Sequence, residues 1–388
     1  MLINNLYKIS PLIKSSFDAG LVLIIGLLLG GEITGVFLAK YYWLYLFTFI
    51  SGGLTTLVSL TKNINPIDRL SIEHTNVVFL VFLVIFCSII FCFYDSSVDL
   101  PAFLILLLAS LLGIVNTRYY VKLESTGYTK DIFILSIFSR LLFILVVLSL
   151  YFFILLNSIL LLALGYLVKE ISEVFFHKKK VIQDLNFFFI FKKHKKYQFH
   201  LKFFELLNVI SSAGVDVLVR LTILLFLGGG DVYRYEYLNR FPKIISSVAM
   251  QLTRHQIFEK NFEERSFFSR FGRLTLIPST LLGYFLVIQQ QAFGISGHYL
   301  DVIVICLCGM NLFFVVPIYN NLLRAKKLNL ITISILINIP VAFLWFIFFG
   351  IGNNSCYFIT LINVFLTCST LIFGPSFYKN IFLKVNNQ

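Results

Sequence analysis

An arginine inside a long apolar run is the residue of this chain that most invites a chemical reading. Arg140 stands about nine residues into the stretch 131–151. A helix rising ~1.5 Å per residue would place it near the middle of a bilayer. A guanidinium at that depth is costly unless it faces a cavity or a partner. Ser136, one turn earlier, is not an acid, so the same helix supplies no counter-charge. The guanidinium is a planar fork of N–H donors that holds phosphate oxygens two at a time, which points to a diphosphate. A salt bridge across a helix bundle to Asp18 or Asp216 is the alternative.

Other ionisable groups sit at comparable depth. Asp216 and Arg220 are four residues apart and can pair on one helix face. Asp18 and Asp216 also fall at equivalent places in two halves of the chain, which makes them candidate protonation or sodium sites. Glu236 and Arg240 are again four apart, and Arg240 shares a face with Lys243. Arg234 and Lys40 are expected to snorkel to the outer surface. Lys14, Lys169, Glu170 and Glu173 are expected at the membrane interface. Embedded cations outnumber embedded anions, favouring an anionic substrate. The candidate substrate contacts are therefore Arg140, Arg220, Arg240 and Lys243, and the candidate ion-coupling residues are Asp18 and Asp216.

The elements that must carry these groups follow from composition. Of 388 residues, 58% are hydrophobic and only 13% charged, with a mean hydropathy of +0.88. A globule in water has too large a polar skin for that balance. About 20 apolar residues span a bilayer core, and the runs here are continuous rather than alternating, so they are helices and not barrel strands. The reading is an all-α integral membrane protein of about twelve helices. The spans are expected at 8–30, 36–60, 76–94, 101–119, 131–151, 153–174, 204–228, 232–255, 271–291, 299–322, 328–350 and 354–375. The first span grades out of a short polar start, with no removable leader expected.

The net charge of +13 is gathered in alternate connections, from Lys62–Arg69 to the tail with Lys379 and Lys384. The other connections are short and poor in cations. The positive-inside rule then puts both termini in the cytoplasm of a bacterial inner membrane, and it accounts for the charge without nucleic acid. The stretch from His177 to Lys202 alternates basic and aromatic residues. It is either a segment lying on the anionic cytoplasmic leaflet or a linker whose charges fix topology. The six cysteines form no C-x-x-C pair and the histidines show no ligand spacing, so neither a disulfide framework nor a metal is expected.

An offset of 198 residues superposes the halves without a gap. Asp18 meets Asp216, Ile25 meets Ile223, Leu29 meets Leu227, Gly30 meets Gly228, Gly31 meets Gly229 and Thr55 meets Thr253. Paired Gly-Gly steps permit the left-handed backbone of a tight hairpin. Six spans per repeat give both halves the same orientation, related by a pseudo-twofold along the membrane normal, with a substrate path between them. The halves are placed at 1–175 and 203–388, joined by a basic cytoplasmic linker at 176–202. Pro242, Pro317 and Pro340 fall inside later spans and can kink them.

The segment Leu29 to Lys40 (LGGEITGVFLAK) resembles the first hairpin of the polysaccharide flippases, the O-antigen and capsule repeat-unit translocases of the multidrug/oligosaccharidyl-lipid/polysaccharide exporter superfamily. Leu227 to Arg240 (LGGGDVYRYEYLNR) resembles the junction of their seventh and eighth helices. The resemblance implies two six-helix bundles set in a V around a central cavity. It also implies alternating access, and export of a polyprenyl-diphosphate-linked oligosaccharide for O-antigen, lipopolysaccharide or capsule biosynthesis, alongside polysaccharide polymerase machinery. No cofactor is needed beyond a coupling Na+ or H+, and no catalytic constellation or P-loop is present. Two alternatives stay open. A multidrug exporter of the same superfamily would share the fold but prefer an acidic cavity. A membrane polysaccharide polymerase would need a large outer loop, and every outer connection here is short.

Overall fold

The computed structural model describes residues 21–22, 24–60, 66–95, 98–125, 129–153, 158–190, 214 and 217–236. All regular structure among them is helical. In chain order the helices are α1 (21–29, residue 23 aside), α2 (Gly31–Lys40), a 3-10 turn at Tyr42–Tyr45, α3 (Leu46–Leu60), α4 (Pro66–Tyr94), α5 (Leu100–Ser125), α6 (Thr129–Phe153), α7 (Ser158–Ile190), α8 (Val217–Phe226) and α9 (229–236). Ile72–Phe93, Leu100–Val121 and Ile134–Phe152 are each long and apolar enough to cross a membrane. The pair Gly31–Lys40 and Tyr42–Ser59 passes as one further span, bent by 48°. The protein is a multi-pass membrane protein.

The chain divides into two compact units. One comprises Met1–Phe17 with Ile33–Leu221, and the other Asp18–Glu32 with Thr222–Gln388.

In the first unit, packing rests on small residues, as it must where lipid tails are no less apolar than leucine. A Cβ on Gly52 would lie 2.7 Å from Thr117, and one on Gly113 would lie 2.8 Å from Thr48, so α3 and α5 approach backbone to backbone. Ser51 donates to the Ile114 carbonyl at 2.8 Å across the same interface. Gly165 of α7 seats Val147 and Phe143 of α6 in the same way. The surface left over is apolar, with Phe82, Phe86 and Phe93 of α4, Leu104 and Leu108 of α5, and Phe138 and Leu145 of α6 all exposed.

Three expectations change. The second span is expected as one helix, 36–60, but it starts at Gly31 and breaks at Tyr41–Tyr45 without a proline. A 3-10 turn eclipses residues three apart, and here that stacks Tyr42 on Tyr45 at 5.0 Å. The break is tied down by Lys40, which pairs with Asp95 at 2.6 Å instead of simply snorkelling. The Asp99 N–H also donates to the Tyr41 hydroxyl at 3.0 Å. Secondly, α4 begins at Pro66 and α5 runs on to Ser125, so Arg118 lies within a helix rather than opening a basic loop. It is buried against Glu73 at 3.1 Å, the two side chains being 3% and 2% exposed. His74 completes that cluster, 3.3 Å from the guanidinium. Thirdly, the helix that follows α6 continues to Ile190, well past the expected end at 174.

In the second unit, α1 closes on Gly30, whose N–H bonds the Gly26 carbonyl at 3.0 Å. Likewise α8 closes on Gly228, whose N–H reaches the Ile223 carbonyl at 3.2 Å. Both glycines adopt the left-handed backbone, φ 85° and 101°, that ends helices at glycine. They are the two repeat mates at the 198-residue offset, and the paired Gly-Gly turns are thus present as expected.

Candidate functional site

The continuation of α7 decides where its charges lie. Lys169, Glu170 and Glu173 are eleven to fifteen residues from the start of α7 at Ser158, a rise of roughly 16–23 Å along the helix. Glu170 and Glu173 are buried among neighbouring helices and Lys169 is half-buried. Each carboxylate is held from a different helix. The Asn116 amide of α5 donates to Glu170 Oε2 at 2.8 Å and to its carbonyl at 2.9 Å. The Ser139 hydroxyl of α6 donates to Glu173 Oε1 at 2.9 Å. The Lys169 ammonium binds Glu170 Oε1 at 2.8 Å. Gly113 leaves the room for this, since a Cβ there would stand 3.4 Å from the Glu170 carboxylate.

Arg140, beside Ser139 on α6, is 5% exposed and gives one N–H to the Ser136 carbonyl at 3.1 Å. It shares this electrostatic environment, acting on Lys169 as a like charge and on Tyr120 together with Glu173. Four charges are therefore gathered, Arg140 and Lys169 against Glu170 and Glu173, all but Lys169 buried. With every group ionised they sum to zero.

A tyrosine cluster joins this set to the second arginine expected from sequence. Lys169 lies 5.8 Å over the Tyr45 ring, Tyr45 stacks on Tyr42, and the buried Arg220 guanidinium lies 5.5 Å over Tyr42. Tyr166 packs against both rings at 5.0 and 5.8 Å, backed by Phe143 at 4.9 Å and Phe37 at 5.8 Å. The broken second span thus places two aromatic faces between Lys169 and Arg220. Guanidinium and ammonium groups can donate to an anion, and aromatic faces suit a cation or the apolar side of a ring. The Tyr45 hydroxyl and the Asn116 Oδ1 are buried with no protein partner, so acceptor capacity is left over at the centre of the cluster.

Of the sequence-derived candidates, Arg140 lies in the charge set with Lys169 and Glu173, and Arg220 lies over Tyr42. Asp18, Asp216, Arg240 and Lys243 lie outside the described residues. Glu236 is fully buried, and Arg234 is half-buried near Asp231. Sequence reasoning missed Lys169, Glu170 and Glu173 as site residues. The signal was available in spacing, because Lys169 and Glu173 are four apart and Glu170, Glu173 and His177 recur at three and four. His177 is buried too, stacked on Tyr119 at 5.2 Å. Among the described residues no group of His, Cys, Asp and Glu is arranged to hold a metal.

A further missed residue is Glu32. Its carboxylate accepts the Gly229 N–H at 3.0 Å and the Gly230 N–H at 2.6 Å, so it caps the first turn of α9 from 197 residues away. Next to it, burial raises the Asp231 carboxyl above its ordinary range. Arg234 opposes that shift and the Glu32 carboxylate adds to it.

Solved structures were compared with the whole chain. A eukaryotic MATE transporter, AtDTX14, superposes with a TM-score of 0.60 at 13% identity, covering 94% of this chain and 92% of that one. The fold is that of the MATE transporters. A variant of the Vibrio cholerae MATE transporter VcmN superposes with a TM-score of 0.55 at 11% identity over 96% and 95% of the two chains. A MATE protein in the bent conformation gives 0.56 at 10% identity over 94% and 92%. The all-α class of twelve membrane helices in two bundles, expected from the spans, is the class of this MATE fold. No protein-family model and no curated protein sequence matches the chain.

Proposed function

We propose that the protein is a membrane exporter that moves a polyprenyl-diphosphate-linked oligosaccharide from the cytoplasmic to the outer leaflet of a bacterial inner membrane by alternating access. The observation that supports this reading is a MATE-type fold in which Lys169 and Arg220 lie over the Tyr45 and Tyr42 rings, with Arg140 in the charge set that includes Lys169. Arg140 and Arg220 would contact the diphosphate. The tyrosine faces suit pyranose rings, and the lipid tail would remain in the bilayer. Arg240 and Lys243 are further proposed substrate contacts, and Asp18 and Asp216 are the proposed sites for a coupling Na+ or H+. In this reading both termini are cytoplasmic, and the halves 1–175 and 203–388 move about the linker 176–202.

Export of a cationic drug is the second reading, and the same fold supports it. It is favoured by the buried Glu170 and Glu173 and by the aromatic cluster, which would suit an organic cation. The balance of charge separates the two, since neutralising both carboxylates leaves two cations and neutralising both cations leaves two anions.

The test is the leaflet distribution of lipid-linked oligosaccharide in cells with and without the protein. Accumulation on the cytoplasmic face, with loss of surface polysaccharide, supports the flippase. Repeat units that still reach the outer leaflet but stay unpolymerised would assign a polymerase instead. An unchanged glycan with increased sensitivity to cationic drugs would assign a multidrug exporter.

A further inference from the structure

Helices usually take their N-terminal cap from the residue just before the first turn. The residue leading into α9 is Gly228 and its first residue is Gly229, and neither has a side chain to offer. Glu32 fills that role from the first hairpin, with one carboxylate oxygen on each of two successive amides, where the helix dipole favours negative charge. Beside it, Tyr233 of α9 packs onto the two glycines that flank the first turn. A Cβ on Gly31 would stand 2.9 Å from its ring, and one on Gly26 would overlap it. The hairpins that meet here are repeat mates, turning on Gly30 and Gly228. The clamp runs one way only, because the mate of Glu32 at the 198-residue offset is Gly230.

We propose that Glu32 and Tyr233 form a latch on the outer face. The carboxylate clamps the α9 N-terminus, the ring fills the glycine groove, and release of both contacts opens that face during transport. The latch depends on the two hairpins meeting, so it stabilises only the state in which they touch. When they part, two amides and a carboxylate are left without partners. That step is tolerable only where water reaches them, which is the case at the end of the helices and not at membrane depth. The left-handed glycines let each hairpin turn within a few residues, so the clamp sits at the outermost point of both.

This inference rests on the carrier reading, but its test does not use the substrate. A reporter cysteine replaces Ile25, a buried residue of α1, in a background lacking the six native cysteines. An impermeant maleimide is then applied to intact cells and, separately, to inverted vesicles. From outside, Glu32→Ala and Tyr233→Ala should each raise the labelling rate about tenfold or more. Glu32→Gln should fall in between, since one carboxamide oxygen replaces two carboxylate oxygens. Tyr233→Phe, which keeps the ring, should stay near the parent and so separates a latch defect from misfolding. Labelling that stays at the parent rate in both alanine variants, or that rises only from the cytoplasmic side, would overturn the latch. Surface glycan measured in the same cells tests the flippase reading independently.

Discussion

Replacing Arg140 by alanine removes one of two cations from the four-charge set, leaving Lys169 against Glu170 and Glu173, a net charge of −1 where the sum was zero. Two separable effects follow. A charge-assisted bond from the guanidinium to a substrate phosphate is worth about 1.5–3 kcal/mol, a loss of roughly 10- to 150-fold in substrate affinity. Stripping a buried charge set of one member costs about 3–5 kcal/mol of stability, because a carboxylate is left uncompensated. The second effect should be reversed by Glu173→Gln, which restores neutrality next to Ser139 and Tyr120, while the first should not. We expect Arg140→Ala to lose surface polysaccharide and to melt earlier in detergent. Arg140→Ala/Glu173→Gln should regain protein level and melting temperature but not export. Arg140→Lys should recover export in part, because an ammonium keeps the charge without the fork. Protein level by immunoblot, thermal melting and surface glycan distinguish these outcomes. Full export in Arg140→Ala would remove the residue from the mechanism. Export regained in the double variant would show that Arg140 serves only as counter-charge.

Glu73→Gln should destabilise the protein by about 3–5 kcal/mol because Arg118 stays buried opposite it, whereas Glu73→Gln/Arg118→Met should recover most of that loss in a detergent melt. Gly113→Ala drives a methyl against Thr48 and should cost about 1–3 kcal/mol. Adding Thr48→Ser, which deletes the opposing Cγ2, should relieve it. The Asp231 carboxyl is raised, so the stabilisation from its proton is complete below the usual aspartate value near ~3.9 and is lost as pH rises through the shifted one. Asp231→Asn should therefore melt higher than the parent at pH 7, with the gap closing as pH falls towards 4. A gap independent of pH would refute the titration.

Local chemistry made some of this structure legible in the residues. The helical class follows from the length of the apolar runs, and the turns at Gly30 and Gly228 follow from glycine pairs at one offset. Arg140 was visible as a buried charge because no other charged residue lies within eight positions of it. The burial of Glu170 and Glu173 was not, since hydropathy falls just beyond them. What buries them is Asn116 and Ser139 from other helices, and such long-range partners leave no trace in a hydropathy pattern. The same holds for Arg118, whose basic surroundings suggest a loop until Glu73 is found opposite it. The break at Tyr41–Tyr45 lacks the proline that would announce it, because ring stacking and the Lys40–Asp95 pair hold it instead. Glu32 is the extreme case, a cap separated from its helix by 197 residues.

The close approaches of Gly52, Gly113 and Gly165 have a thermodynamic consequence. Parting α3 from α5, or α6 from α7, within a bilayer exposes these faces to acyl chains and not to water. The positive heat capacity of unfolding arises from hydrating apolar surface, so that part of the transition should carry little of it. The cohesion of this unit then rests on contact enthalpy and on bonds such as Ser51 to Ile114 and Asn116 to Glu170. Its stability should accordingly vary almost linearly with temperature, without the pronounced low-temperature downturn of a water-soluble domain.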